Sequence, residues 1–285
     1  RALQHLRDGE FLRADGRAYQ RGLTITERSS ILERYRAGEG IDELAPAFAC
    51  GRSTIYRVLL AADATMRSNA ESHTHCALRA DAFDVLGPDA LYWLGFLFAD
   101  GCVHHHRGGG APALRIGLAE RDAGHLYKLR DFLGSTHKIT HTSATAVKGG
   151  KRYPVVDLYI RSHPLVASLE RLGMGAKSLD RIALPEFADS RDFWRGAVDG
   201  DGTAGDSTLL LCGGKDLVAQ FASYLQRHGV SPVREYRHQT ARCWYARVVG
   251  GKQTRDGISL LYSDCALALD RKLAAVHRIR TTGKV

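Results

Sequence analysis

Long apolar runs are missing from this 285-residue chain: no uncharged apolar stretch reaches the ~18 residues that a helical membrane span needs, which excludes that class. A signal-like apolar core is missing too, since Arg, Asp and Glu punctuate the first thirty residues, so secretion is not expected. The six cysteines (Cys50, Cys76, Cys102, Cys212, Cys243 and Cys265) are scattered without a CxxC spacing, which excludes zinc fingers and predicts free thiols in a reducing, cytoplasmic compartment. The chain neither opens with Cys or Ser nor closes with His-Asn, so intein splicing is not expected.

What is present reads as globular, with 44% hydrophobic and 25% charged residues. The length favours two or three modules with at least one sizeable core. Forty Lys and Arg against 31 Asp and Glu leave a net charge of +9, which points to a polyanionic partner and equally fits an ordinary basic enzyme.

One internal repeat stands out. Trp93, Gly95, Asp100 and Gly101 recur as Trp194, Gly196, Asp201 and Gly202, each 101 residues later. In the first copy Pro88 suits an early helical position, and ALYWLGFLFA (Ala90 to Ala99) is apolar all round, so the helix must be buried. In the second, Ser190 is a candidate N-cap and FWRGAV (Phe193 to Val198) runs into Asp199, Gly200 and Asp201. Both copies end in Asp-Gly, where Gly101 and Gly202 are expected to turn the chain in a left-handed conformation.

A carboxylate at a helix C-terminus opposes the helix dipole and invites a cation. Gly95 and Gly196 in mid-helix each cost about 1 kcal/mol against alanine, and close helix-to-helix approach is the natural compensation. Packing the helices through these glycines would bring Asp100 and Asp201 together as an oxygen-lined site suited to Mg²⁺. The plain alternative is a duplicated buried helix pair whose terminal Asp-Gly is only a turn.

YWLGFLFADG (Tyr92 to Gly101) and FWRGAVDGDG (Phe193 to Gly202) resemble the two signature helices of a single-chain LAGLIDADG homing endonuclease. The resemblance implies an α+β fold of two pseudo-symmetric αββαββα halves packed through these helices. It implies divalent metal (Mg²⁺ or Mn²⁺) held by Asp100, Asp201 and the carbonyls of Ala99 and Gly200. The first copy departs at Phe98, where the family often has an acid, while the second keeps Asp199. LGMGAKSL (Leu172 to Leu179) resembles the segment that closes the first half, and LYSDCALALDRKL (Leu261 to Leu273) the second half's closing helix. Lys177 and Lys272 are thereby implied as the basic catalytic residues, with a solvated surface lysine as the alternative reading of either. The implied activity is a double-strand break with 3′ overhangs in a long asymmetric duplex site. The implied protein is a monomer of bacterial or phage origin. Two rivals remain: a non-catalytic LAGLIDADG and helix-turn-helix transcription regulator, against which the two aspartates argue, and an intron RNA maturase.

Between the signatures the pattern fits two α+β halves. Strands are expected at Leu114–Ala119, His137–Thr142 and Val155–Ile160, with a helix from Asp122 to Leu133. The second half repeats this as Ser207–Cys212, a helix from Lys215 to His228, Val233–His238 and Cys243–Val249. Residues 138–161 carry net +4, including Lys138, Lys151 and Arg152. Residues 234–255 carry net +5, including Arg234, Arg237, Arg242 and Arg247. Two basic sheets suit a major groove, with arginines for phosphates and guanines; a solvated sheet face is the alternative for any one of them. The run His104, His105, His106 beside Cys102 is read as structural or DNA-contacting in preference to a zinc site.

Ahead of these halves, Thr24 to Gly40 reads as a helix with Ile25, Ile31, Leu32 and Tyr35 on one side. IDELAPAFACGRSTIYRVLL (Ile41 to Leu60) resembles a resolvase- or transposase-type helix-turn-helix, with Arg52, Ser53, Thr54, Tyr56 and Arg57 leading into the major groove. Pro46, and Ala49 at the tight turn, depart from that pattern. Residues 1–70 carry only net +2, so charge lends little support, and a protein-docking module is the other reading. The expected domains are 1–63 (helix-turn-helix), 64–81 (linker), 82–188 and 189–285 (the two halves).

Overall fold

The computed structural model describes residues 22–37, 39–66, 76–106, 108–145, 152–175, 178–205 and 207–282. They divide into two compact units, with the boundary between residues 75 and 76.

The smaller unit is three helices, α1 (Ile25–Arg36), α2 (Ile41–Ala47) and α3 (Arg52–Ala61). Thr24 starts α1 through a capping box: its hydroxyl accepts from Glu27 N, and its own N–H donates to the Glu27 carboxylate at 2.8 Å. Ile31, Tyr35, Leu44, Ile55 and Leu59 close the core. Ile25 was expected on that inner face but is 86% exposed, because it occupies the first helical position, ahead of the turns that meet α3. Pro46 sits near the end of the short α2, where few backbone bonds remain to be lost. Ala49 carries the tight turn at φ 47°, a left-handed conformation with no glycine to relieve it.

The larger unit is an α+β fold built twice. Its first half runs α4 (Pro88–Asp100), β1 (Gly101–His104), β2 (Ala113–Ala119), α5 (Ala123–Phe132), β3 (Ile139–Thr145), β4 (Arg152–Arg161) and α6 (His163–Arg171). The second repeats the order as α7 (Arg191–Asp201), β5 (Gly202–Gly205), β6 (Thr208–Gly213), α8 (Lys215–Arg227), β7 (Val233–Arg237), β8 (Trp244–Val248) and α9 (Gly251–Tyr262), followed by α10 (Asp270–Thr282). Each half carries a four-stranded antiparallel sheet, ordered β1-β2-β4-β3 and β5-β6-β8-β7. Leu114, Ile116, Val156, Leu158 and Ile160 of one sheet, and Leu209, Leu211, Ala246 and Val248 of the other, turn inward to the helices.

Four expectations change. Residues 76–81 are tied to the first half instead of serving as linker: Ala77 N donates to Thr136 Oγ1 and Arg79 N to Leu133 O, both at 2.8 Å. The expected linker residues 67–75 lie outside the described residues. Lys252 and Arg255 belong to α9 and not to a basic sheet, because Gly250 at φ 96° turns the chain out of β8 into that helix. Residues 261–273 are not one closing helix. α9 ends at Tyr262, Asp264 takes φ 52°, and α10 begins at Asp270; the intervening backbone is held by Arg195 Nε donating to Leu267 O and Leu269 N donating to Asp199.

Finally, Gly101 and Gly202 are extended, with φ −82° and −121°, and not left-handed. Space, and not φ, demands glycine: a Cβ at Gly101 would lie 2.6 Å from Leu97 O, and one at Gly202 2.5 Å from Leu210 O.

Candidate functional site

The site is built where α4 and α7 meet. A Cβ at Gly95 would fall inside the Phe193 carbonyl, and one at Gly196 inside the Tyr92 carbonyl. These contacts are reciprocal, since 193 exceeds 92 and 196 exceeds 95 by the same 101, as a local twofold between the helices requires. Toward the C-termini, Gly200 approaches Ala99 so closely that a Cβ would overlap that side chain and lie 3.2 Å from Asp100 Oδ2. The two helix ends therefore deliver their aspartates to one place.

The electrostatics carry the mark of that placement. Asp100 is half-buried, and its pKa is pushed up to about 7, first by burial and then by the Asp201 charge, against the pull of Lys272 and Arg271. Asp201 keeps an exposed side chain, yet the surrounding protein shields it enough to raise its pKa, with Lys272 and Arg181 opposing.

Two cations close the helix ends. Lys272 is buried, and its Nζ donates to the carbonyls of Val198 (2.5 Å), Asp199 (2.8 Å) and Gly202 (2.7 Å). Arg181 is equally buried, and it donates to the carbonyls of Leu97 (3.2 Å), Phe98 (2.7 Å) and Gly101 (3.0 Å). Each acceptor set is the other displaced by 101 residues, so Arg181 is the counterpart of Lys272. Lys177, expected in that place, lies outside the described residues. Burial lowers the Lys272 pKa to about 8. The two cations thus add charged donors to the carbonyls on either side of Ala99 and Gly200, where the helix ends run short of backbone donors.

Asp199, the extra acid of the second repeat copy, has a different task. It is buried and accepts from Tyr92 Oη, Tyr262 Oη and Leu269 N, each at 2.7 Å, which ties α4, α7, α9 and the start of α10 together. Its first-half equivalent, Phe98, stacks edge-on with Phe187 and Phe193. The departure at Phe98 thus exchanges a buried polar junction for an aromatic one.

Strand parity decides which basic residues share a surface. On the face of the first sheet opposite the helices lie Cys102, Arg115, Asp157, Tyr159 and Arg161, with Arg115 directly across from Tyr159. Lys138 precedes β3 in register with that face. The exposed Arg152 has the opposite parity, at the far end of β4. Lys151 lies outside the described residues. On the second sheet Arg234 and Arg247 are directly paired on the same outer face as Tyr236 and Tyr245. Arg237 has the opposite parity, and Arg242 is in the loop before β8. The exposed Arg115 was not singled out from sequence, although alternation with Leu114 and Ile116 marks its direction.

His105 Nε2 meets Glu170 at 2.7 Å and His106 Nε2 meets the Tyr159 hydroxyl at 2.9 Å, so the histidine run disperses to different partners. In the smaller unit, Ile55, Val58 and Leu59 of α3 are buried, while Arg52, Ser53, Tyr56 and Arg57 are exposed and Thr54 is half-buried. Arg52 also pairs with Asp42 at 2.8 Å.

Residues 23–62 match the model of the helix-turn-helix domain of resolvase. No curated protein matches the chain. Among solved structures, the chain resembles the homing endonuclease I-WcaI bound to its DNA recognition sequence (9% identity, TM-score 0.48, covering 68% of this chain and 90% of that one). It also resembles I-DmoI in complex with DNA and Ca (16%, TM-score 0.43, 70% and 99%). A third similar structure is full-length DUF199/WhiA from Thermatoga maritima (14%, TM-score 0.41, 73% and 66%).

Proposed function

We propose that this chain is a site-specific DNA endonuclease with a LAGLIDADG-type active site, in which Asp100 and Asp201 serve one duplex strand each. The observation that carries the reading is the meeting of these two carboxylates at the joined ends of two glycine-packed helices, where burial raises both pKa values and the Asp201 charge adds to the rise at Asp100.

A divalent cation suits this donor set. The carboxylates of Asp100 and Asp201 and the carbonyls of Ala99 and Gly200 are hard oxygens, few enough to leave room for water and phosphate oxygens, and Mg²⁺ or Mn²⁺ is the ion of that chemistry. When bound, such an ion supplies an activated water and charge neutralisation at a phosphodiester. The chain's own residues do the rest. Gly95, Gly196 and Gly200 set the separation of the aspartates. Arg181 and Lys272 hold the two helix ends by their carbonyls and place positive charge behind the carboxylates. Lys272 acts as a positioning residue in this reading, its donors being occupied by backbone. Lys177 keeps the role the resemblance implies, as a cation near the scissile phosphate.

The outer faces of the two sheets, with Lys138, Arg115 and Arg161 on one and Arg234 and Arg247 on the other, form the duplex-binding surface. Arg152, Arg237 and Arg242 lie at its margins as phosphate contacts, and Lys151 keeps the DNA-contacting role expected from its charge. The two halves differ in sequence, so the site is asymmetric, and the product is a break with 3′ overhangs. Residues 1–63 add helix-turn-helix contacts through Ser53, Thr54, Tyr56 and Arg57, raising affinity by linkage; residues 64–75 connect them to the halves at 76–188 and 189–285. The protein works as a monomer.

The test is incubation of the protein, and of an Asp100→Asn/Asp201→Asn double variant, with a randomised duplex library in Mg²⁺, followed by sequencing of cut ends. Cleavage by the parent alone at one long site with staggered ends supports the reading. Specific binding by both with cleavage by neither replaces it with a DNA-binding regulator.

A further inference from the structure

The outer face of the first sheet holds a built pair that has no counterpart in the second. Arg115 on β2 donates through both Nε (3.0 Å) and Nη2 (2.9 Å) to Oδ1 of Asp157 on β4. Asp157 is firmly seated, its side chain only 15% exposed, whereas that of Arg115 is 54% exposed. Gly117, directly across from Asp157, makes the seat possible: a Cβ there would lie 2.9 Å from Asp157 Oδ1. The absence of one side chain lets the carboxylate lie across β2 and reach the arginine two residues earlier.

Donor geometry then decides what Arg115 can do next. A guanidinium has five N–H groups on three edges. Asp157 engages the side edge, Nε with Nη2, which fixes the plane of the group. The end edge, Nη1 with the second Nη2 hydrogen, remains as two parallel donors spaced for a pair of acceptors. On a duplex, that pair is O6 and N7 of guanine in the major groove; a phosphate needs no such fixed plane.

We infer that Arg115, held by Asp157 over Gly117, reads one guanine in the half-site that meets the first sheet, and that the symmetry-related position carries no guanine requirement. This rests on the duplex-binding reading above. In the second sheet the residue aligned with Ile116 is Leu211, since they pair with Gly101 and Gly202 respectively. Arg115 therefore corresponds to Leu210 and Gly117 to Cys212, while Asp157 corresponds to Tyr245, because Leu158 and Ala246 face Ile116 and Leu211. The fork, its anchor and its gap are all replaced.

The experiment is binding selection from a randomised duplex library in Ca²⁺ with the full chain, comparing the parent with Arg115→Ala, Arg115→Lys and Asp157→Asn. The parent motif is expected to contain a guanine whose preference, roughly 10- to 100-fold, is lost in Arg115→Ala with the rest of the motif intact. Arg115→Lys, which keeps the charge, is expected to lose the same preference while the rest of the motif is still selected, which shows that the variant is folded. Asp157→Asn is expected to weaken it. A uniform fall in affinity with an unchanged motif in both Arg115 variants would overturn the inference and leave duplex reading intact. No motif from the parent would overturn the duplex-reading proposal itself, and this inference with it.

Discussion

Lys272 and Arg181 do the same work from different sequence contexts: each donates to three carbonyls at the end of one of the two repeated helices, and the two acceptor sets lie 101 residues apart. The helix dipole concentrates negative charge at these ends, and a carboxylate follows on each, so without the cations the arrangement is electrostatically unfavourable.

Replacing either cation with an apolar residue should therefore be costly. Lys272→Met and Arg181→Met are each expected to lose about 3 kcal/mol in urea unfolding, because buried carbonyls lose charged donors. The Lys272→Arg variant should recover much of this, since Arg181 performs the task with a guanidinium. If Lys272→Met unfolds like the parent while cleavage is lost, Lys272 serves chemistry and not helix closure.

The glycines give a sharper contrast. Gly95→Ala and Gly196→Ala each place a methyl group within a backbone carbonyl of the opposing helix, and a cost of about 3 kcal/mol or more is expected because backbone cannot swing aside as a side chain does. Gly124 also lies in a helix, but nothing stands within 4 Å of its missing Cβ. Gly124→Ala should raise stability by roughly 0.5–1 kcal/mol. Denaturant titration of the three variants checks both signs.

The 101-residue repeat made the two paired helices, their glycine contact and the meeting of Asp100 and Asp201 legible in advance, because those features are local and repeat in register. The α+β class and most strands followed from alternation, as at Leu114–Leu118. Arg181 was not legible. Leu179-Asp180-Arg181 matches Leu269-Asp270-Arg271 by eye, which pairs Arg181 with the wrong residue by one position, and only hydrogen-bond geometry reveals Lys272 as its partner. The pairing of Arg115 with Asp157 was hidden for a related reason. It depends on the β2–β4 register and on a gap at Gly117, neither of which is encoded in the spacing of charges. The extended Gly101 and Gly202 show the limit of reading Asp-Gly as a turn, since close strand contact imposes the same residue choice.

In the smaller unit, Ala49 holds φ 47° where glycine would be unstrained. The left-handed conformation costs alanine about 1 kcal/mol, and the greater unfolded-state freedom of glycine offsets part of the gain. Ala49→Gly is thus expected to be neutral or up to ~1 kcal/mol stabilising, whereas a glycine at the helical Ala45 should destabilise. Thermal melts followed by helical circular dichroism distinguish the two.

The aspartate pair predicts a pH signature. Asp100 titrates near 7 in the folded protein against about 3.9 in an unfolded chain. As pH rises from about 4 to 7 the unfolded chain releases this proton while the folded one retains it, so stability falls across that window and levels off above it. Asp100→Asn abolishes the titration. In EDTA the variant and parent should unfold alike near pH 4.5, and the variant should be the more stable by ~2 kcal/mol at pH 8 once screening is allowed for. Millimolar Mg²⁺ should reverse the order at pH 8, because the cation relieves the carboxylates only in the parent. Urea titrations at the two pH values measure the difference. An unchanged gap between them would mean that the charge on Asp100 is already accommodated without metal, and the cation site would lose its electrostatic basis.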